Sequence, residues 1–171
     1  QPGWQRHQRA CGGDEIFSEL VLRVGVATGP AVVGPCGSEK KYDYTCIGDS
    51  VNVAARLESA NKFYGTRSLV SGATRAAVGE RFVFRSLGGV RVKGKTQIVP
   101  IFELLGRAGM VPESELRYAE RFGRAIDLFQ RRQWADAWEA FAACLRERPT
   151  DLAAQQYLDT VERYQFNPPD V

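Results

Sequence analysis

The sequence predicts an α+β fold, and three observations carry that prediction. Between Leu20 and Gly106, short runs of β-branched and aromatic residues are separated by glycine, which is typical of strands joined by turns. One longer helical stretch interrupts these runs after Gly48. Beyond Gly109 the apolar spacing changes to that of amphipathic helices. We therefore expect a unit of strands and helices followed by a small all-α tail.

The first part of the chain divides into strands and two helices. Residues 1–19 are polar and are expected to form the end of a helix and a loop. Residues 31–34 and 42–47 are predicted to pair as a hairpin, with a polar tip at 35–41. The remaining strands are expected at 20–26, 68–70, 82–87, 90–92 and 99–104, and the helices at 50–63 and 73–78.

The last part of the chain, 112–165, predicts three helices, at 113–130, 134–148 and 152–164. Ala125–Phe129, Trp134–Phe141 and Pro149 together resemble a tetratricopeptide unit. One such unit cannot bury its apolar face alone, so it should pack on the preceding domain, on a partner or on a second copy. Two interpretations stay open: a simple helical cap, or a module that recruits a protein partner.

Composition narrows the class of protein. The chain has 171 residues, 44% hydrophobic and 25% charged, with a net charge of +3, which fits a globular domain and gives no reason to expect nucleic acid as a partner. No run approaches the roughly 20 apolar residues of a membrane helix. The four cysteines lack paired zinc spacing and are expected to be reduced thiols. We expect a cytoplasmic protein, or the cytoplasmic part of a membrane-anchored parent.

The junction at 47–56 is the most informative segment. Asp49 and Ser50 are expected to cap the first turn of a helix. Asn52 and Arg56 lie four residues apart and therefore share a helical face. An amide and a guanidinium at a strand-to-helix junction could stabilise charge on a phosphate; a solvated polar stripe is the alternative. Three apolar residues lie on another face and can enter the core: Val53, Leu57 and Ala60.

Several motifs in order resemble one family. The segment 44–58, Tyr-Thr-Cys-Ile-Gly-Asp-Ser-Val-Asn-Val-Ala-Ala-Arg-Leu-Glu, is similar to the signature of the class III adenylate and guanylate cyclases. The glycine turn at 22–29, the strand at 31–34 and the late hairpin at 89–95 resemble the same catalytic domain. The resemblance covers roughly 20–106 and implies the later portion of a ferredoxin-like cyclase fold, of bacterial type.

By this resemblance the chain is expected to convert ATP to 3′,5′-cyclic AMP and pyrophosphate. Asn52 would orient the ribose, Arg56 would stabilise the transition state, and Lys93 would contact the triphosphate. Thr45 stands where animal adenylate cyclases carry an aspartate that reads adenine. A hydroxyl both accepts and donates hydrogen bonds, so it discriminates less sharply than a carboxylate and leaves guanylate cyclase as an alternative.

The resemblance also implies Mg²⁺ or Mn²⁺, held in this family by two aspartates from the first half of the domain. No residue before Leu20 matches them, since the context of Asp14 differs. The family resembles head-to-tail dimers whose sites combine residues of both chains. We therefore expect this chain to be inactive alone, and to complete a site with a second copy or a full-length cyclase chain. A non-catalytic interaction module derived from a cyclase is the alternative from another class.

Overall fold

The computed structural model describes residues 21–38, 41–91 and 98–169 of the chain. The strands are β1 (Val24–Val26), β2 (Val32–Ser38), β3 (Lys41–Ile47), β4 (Ser68–Ser71), β5 (Phe82–Arg91) and β6 (Ile98–Arg107). The helices are α1 (Asp49–Tyr64), α2 (Gly72–Val78), α3 (Glu113–Gln130), α4 (Trp134–Glu147) and α5 (Leu152–Phe166), with a 3₁₀ turn at Gly79–Arg81. None of these helices is long and apolar enough to span a bilayer.

The strands form two separate sheets. Four of them lie in the order β1-β4-β6-β5, in which β1 runs parallel to β4 and the other pairs are antiparallel. The other sheet is the hairpin of β2 and β3. The predicted α+β fold with a helical tail is confirmed.

Three predicted boundaries differ from the structure. The first strand begins at Val24, not at Leu20, because only Val24–Val26 pair with β4. The expected polar tip is wrong for most of its length, since Pro35 pairs with Tyr44 and the ladder continues to Ser38. A proline is tolerated there because a two-stranded ribbon consists of edges alone. The two strands predicted at 82–87 and 90–92 belong to one strand, β5, that bulges at its glycines.

The tail packs on the sheet and shares one apolar core with it. Leu57 of α1 and Ile101 of β6 belong to the same cluster as Phe122 of α3 and Phe141 of α4, and each is at most 1% exposed. Phe122 and Phe141 meet edge to face with ring centroids 5.5 Å apart. The residues that the sequence assigns to a helical repeat are therefore core residues of the whole unit, as expected of a helical cap.

A buried polar network joins tail and sheet beside this core. Arg85 of β5 donates to Glu103 of β6 at 2.7 Å and to Asp151, which caps the start of α5. The Tyr118 hydroxyl donates to the same carboxylate at 2.6 Å, and Asp151 also accepts from the backbone N–H of Ala154 at 3.2 Å. Arg85 is 7% exposed, so these partners are what permit its burial.

Candidate functional site

The site begins where β3 ends and α1 starts. Gly48 is the N-cap and makes no side-chain cap hydrogen bond, so the predicted cap by the Ser50 side chain is wrong. Instead the Ser50 hydroxyl donates to the Pro30 carbonyl at 3.0 Å. A Cβ at Gly48 would lie 2.8 Å from that carbonyl oxygen, so the close approach of the preceding loop requires glycine. The Ser50 hydroxyl thus ties the first turn of α1 to the loop before β2.

Two contacts seat α1 on β1. A Cβ at Gly25 would overlap the Ala54 carbonyl oxygen and the Glu58 nitrogen, so the helix rests directly on the strand backbone. Asn61 is fully buried; its amide donates to the Val24 carbonyl at 3.0 Å and its oxygen accepts from the Thr66 hydroxyl at 2.8 Å. The orientation of α1 is therefore fixed at two places along the helix, at Ala54–Glu58 and at Asn61.

Asn52 and Arg56 lie on the exposed side of this seated helix. The Asn52 N–H donates to the Gly48 carbonyl at 3.2 Å, so its backbone belongs to the first helical turn. Within the described residues, neither side chain makes a hydrogen bond or ion pair. Leu57, next to Arg56, is 1% exposed and anchors the opposite side of the helix. The structure thus presents an amide and a guanidinium together, as the spacing predicted.

Thr45 lies on β3 opposite Gly34 and is exposed. Its neighbour Cys46 pairs with Val33, and alternation along the strand places the side chains of 45 and 46 on opposite faces. Thr45 therefore belongs to the strand that runs directly into Gly48 and α1. Lys93, the fourth predicted site residue, lies outside the described residues.

The described residues do not fit a divalent cation. They contain no group of three or more His, Cys, Asp or Glu side chains that could hold one. Asp43 is exposed on β3 and Asp49 lies in the first turn of α1. A metal ion at this site would need carboxylates from outside the part of the chain that the structure describes.

Two cavities of the described structure lie away from Asn52 and Arg56. One, of about 220 Å³, is bordered by the Arg85 network and by Arg148, which binds Glu115 through two hydrogen bonds of 2.7 and 2.8 Å. The other, of about 430 Å³, lies between β5, β6 and α3, and Arg75 covers its Phe102 ring at 4.6 Å. The charged groups around the first cavity are occupied by one another, so this cavity offers a charged ligand less than do the side chains of Asn52 and Arg56, which are unpaired within the described residues.

Sequence reasoning missed the residues that hold this arrangement together. Asn61 was overlooked because an asparagine inside a helix carries no pattern that marks it as buried. Arg85 and Asp151 are 66 positions apart, so no local signal could join them. A signal did exist at Gly88–Gly89, because paired glycines inside a strand pattern indicate a bulge.

Comparisons with known proteins identify the class. The adenylate and guanylate cyclase catalytic domain family matches residues 6–104, more than half of the chain. This chain belongs to that family, as its motifs predicted. Because the match begins at residue 6, it extends further toward the amino end than the 20–106 segment recognised from motifs.

Two curated proteins and one solved structure are similar to this chain. Adenylate cyclase 1 of Rhizobium meliloti (strain 1021) is 43% identical over 108 residues, covering 63% of this chain and 16% of that protein. The terminal-differentiation specific adenylate cyclase of Dictyostelium discoideum is 31% identical over 146 residues, covering 83% of this chain and 7% of that protein. The crystal structure of the adenylyl cyclase CyaB from P. aeruginosa is 27% identical with a TM-score of 0.47, covering 63% of this chain and 56% of that one.

These matches cover only a small part of each curated relative. The chain spans 16% and 7% of the two curated relatives, so most of each lies outside the comparison. The Dictyostelium match covers 83% of this chain, which cannot fit before α3, so it takes in α3 as well as the cyclase motifs.

Proposed function

We propose that this chain is part of a class III adenylate cyclase and supplies the Asn52–Arg56 half of its active site. The observation that carries the proposal is the pair itself. Both side chains are exposed on a helix that is seated rigidly, and neither is used by the described fold. A buried core or a helix cap needs neither residue, whereas a nucleotide needs donors at fixed positions.

The reaction follows from the chemistry of the substrate. The ribose 3′-hydroxyl loses its proton to solvent and its oxygen bonds to the α-phosphorus. The bond from that phosphorus to the oxygen bridging to the β-phosphate breaks, and pyrophosphate leaves with that oxygen. Asn52 holds the ribose by hydrogen bonds, and the Arg56 guanidinium binds the phosphoryl oxygens on which negative charge grows. Lys93 contacts the triphosphate, and Thr45 accepts a hydrogen bond from the adenine amino group.

The divalent cation of this class, Mg²⁺ or Mn²⁺, would supply further neutralisation of charge when it is bound. Since the described residues do not fit it, the proposal assigns its carboxylate ligands to a second cyclase chain, in a head-to-tail arrangement. The chain on its own is then inactive, and it gains activity from a partner that holds the metal. Recruitment of another protein by the tetratricopeptide-like tail stays a prediction.

The test is a complementation assay. The protein is incubated with Mn²⁺ and ATP or GTP, alone and mixed with a class III cyclase domain that carries the metal-binding aspartates. In that partner the arginine matching Arg56 is changed to alanine, so that any restored activity depends on Arg56 of this chain. We expect cyclic nucleotide in the mixture only, with more product from ATP.

Each other outcome has a defined meaning. More product from GTP would make the chain a guanylate cyclase that uses the same residues. Product from the chain alone would place the metal ligands within it. No product in either setting, from protein shown to be folded, would refute the cyclase proposal and favour the interaction module.

A further inference from the structure

The strand β5 contains a bulge. Ser86 pairs with Phe102, and the next pair is Gly89 with Pro100, so Leu87 and Gly88 together oppose the single residue Ile101. Gly88 adopts a left-handed conformation with φ of 72°, which favours glycine. A bulge of this kind bends its strand and changes the direction in which the strand continues. In the sequence, Lys93 follows two residues after the last residue of β5, Arg91.

A tyrosine of the tail occupies the bulge. The Tyr157 hydroxyl of α5 donates to the Leu87 carbonyl at 2.7 Å. A Cβ at Gly88 would lie 2.7 Å from the same hydroxyl oxygen, so the missing side chain makes the room that the hydroxyl fills. The Leu87 carbonyl lies in the part of β5 that has no ladder partner, and the tail supplies its hydrogen bond.

Aromatic contacts fix the ring of Tyr157 independently of its hydroxyl. The ring stacks on Phe141 with centroids 5.0 Å apart and planes 9° apart, and its edges meet Phe122 at 6.2 Å and Phe129 at 5.0 Å. Ring packing and hydroxyl bonding are therefore separate functions, and a phenylalanine would keep the first and lose the second.

The helix α5 also packs against the end of α1. Tyr64, the last residue of α1, belongs to the buried cluster against which Tyr157 packs, and the Leu152 side chain of α5 lies against Gly65, which ends α1. Burial, and then the interaction with Tyr64, raise the pKa of Tyr157, so the phenol stays protonated and able to donate at physiological pH. The helix α5 thus packs against the end of the helix that carries Asn52 and Arg56, and through Tyr157 it bonds to the bulge of β5.

We propose that Tyr157 is a positioning residue of the cyclase site: its hydroxyl holds the β5 bulge against α5, and so in register with the end of α1 on which α5 also packs. This inference rests on the proposed function, because it matters for catalysis only if α1 and the β5–β6 hairpin bind the nucleotide. By this proposal the helical tail helps to position the nucleotide site as well as covering the core.

The experiment compares Tyr157→Phe with Tyr164→Phe. Tyr164 is a matched control because its ring also stacks on Phe129, at 6.0 Å, while its hydroxyl makes no hydrogen bond within the described residues. Two quantities are measured for the whole chain: hydrogen exchange of residues 86–91 and 98–102, and kcat and KM for the nucleotide in the complementation assay.

For Tyr157→Phe we expect exchange in those residues to rise about tenfold and kcat/KM to fall about tenfold, the change produced by losing one hydrogen bond of ordinary strength. KM should rise, because the triphosphate-binding hairpin is displaced. The control should change neither quantity. A third variant, Gly88→Ala, should impair kcat/KM less in the Tyr157→Phe background than in the unchanged protein, because the added methyl group no longer meets the hydroxyl.

Unchanged exchange in Tyr157→Phe would overturn the proposal, as would raised exchange with unchanged kinetics in an active mixture. Additive effects of Gly88→Ala and Tyr157→Phe would also count against it. Absence of product from the unchanged protein would refute the cyclase function separately, and the exchange data would then decide whether Tyr157 holds the bulge.

Discussion

Two regions of this molecule use their side chains in opposite ways. Where the tail meets the sheet, Leu87, Phe122 and Phe141 are fully buried. Around the start of α1, the hairpin exposes its apolar residues: Val32 is 74% exposed and Tyr44 is 78% exposed. Because burial of apolar area supplies most of the folding free energy, stability is concentrated at the tail, while the candidate site contributes little to it.

The difference between the two regions is visible in two arginines, one buried and one exposed. Arg85 is buried, bonded to two carboxylates, and lies over the Phe122 ring at 4.7 Å. Arg56 is exposed and has no side-chain partner within the described residues. An arginine that the fold does not use is available for a ligand, so the same side chain is a structural tie in one region and a binding group in the other.

The largest expected effect tests the binding arginine. Arg56→Ala in this chain should lower the rate in the complementation assay by about 10²- to 10³-fold, because a fixed donor to the transition state is lost. Its free energy of unfolding should change by less than about 0.5 kcal/mol, since the side chain is exposed. Cyclic nucleotide formation and chemical denaturation measure the two quantities.

Lys62→Ala is the matched control for Arg56→Ala, because Lys62 is an exposed cation on the same helix. It should change neither rate nor stability. Equal loss of rate in both variants would mean that the charge of the helix, and not the Arg56 position, supports activity. A large loss of stability in Arg56→Ala would remove the contrast between the two regions.

The next prediction concerns the close contact between α1 and the backbone of β1 at Gly25. Gly25→Ala should lower the free energy of unfolding by about 3 kcal/mol, because the methyl group would overlap backbone atoms that cannot turn aside. Gly34→Ala, in the hairpin, is the control: nothing lies within 4 Å of its Cβ position. Denaturation midpoints of the two variants are compared. Equal stability of both would show that α1 can lift from β1 without penalty.

Asp151→Asn tests the structural tie of Arg85. Removing one partner of a buried ion pair should lower the free energy of unfolding by about 3 kcal/mol at pH 7. Asp159→Asn is the control on the same helix, because Asp159 is exposed and accepts only from Gln155, at 2.7 Å, among the described residues. It should change stability by less than about 0.5 kcal/mol. Comparable losses in the two variants would show that burial gives Arg85 no special dependence on Asp151.

Asp151→Asn and the unchanged protein should also differ in how their stability depends on pH. Burial alone would raise the pKa of Asp151, but the charge of Arg85 and the hydrogen bonds from Tyr118, Ala154 and Arg85 outweigh it and lower that pKa below its usual value. The charged carboxylate therefore stabilises the fold above its unfolded pKa of about 3.9, and this stability is lost as the pH falls through the lower folded-state pKa. Asp151→Asn should lose less stability than the unchanged protein over that acid range; an identical acid profile would contradict the assignment.

The contrast between the regions also explains what the sequence could predict. The helices α3, α4 and α5 were placed almost to the residue, because an amphipathic period is a local signal. The shared exposed face of Asn52 and Arg56 was predictable, because four-residue spacing in a helix fixes it. The ion pair of Arg85 with Asp151 and the Tyr157–Leu87 bond were not predictable, because long-range partners have no local pattern. The same reason applies to the bond from Ser50 to the Pro30 carbonyl, since the two residues are twenty positions apart.

The smallest expected effect concerns the purine. Thr45→Asp should shift the ratio of kcat/KM for ATP over GTP by about tenfold toward ATP, because a carboxylate accepts from the adenine amino group but repels the carbonyl oxygen of guanine. The substitution lies on an exposed strand, so the fold should tolerate it. Cys46→Ser, one residue on and on the opposite face, is the control and should leave the ratio unchanged. A ratio that moves toward GTP, or one that moves equally in both variants, would show that β3 does not read the base, and would leave the Asn52–Arg56 pair as the whole of this chain's contribution near the junction.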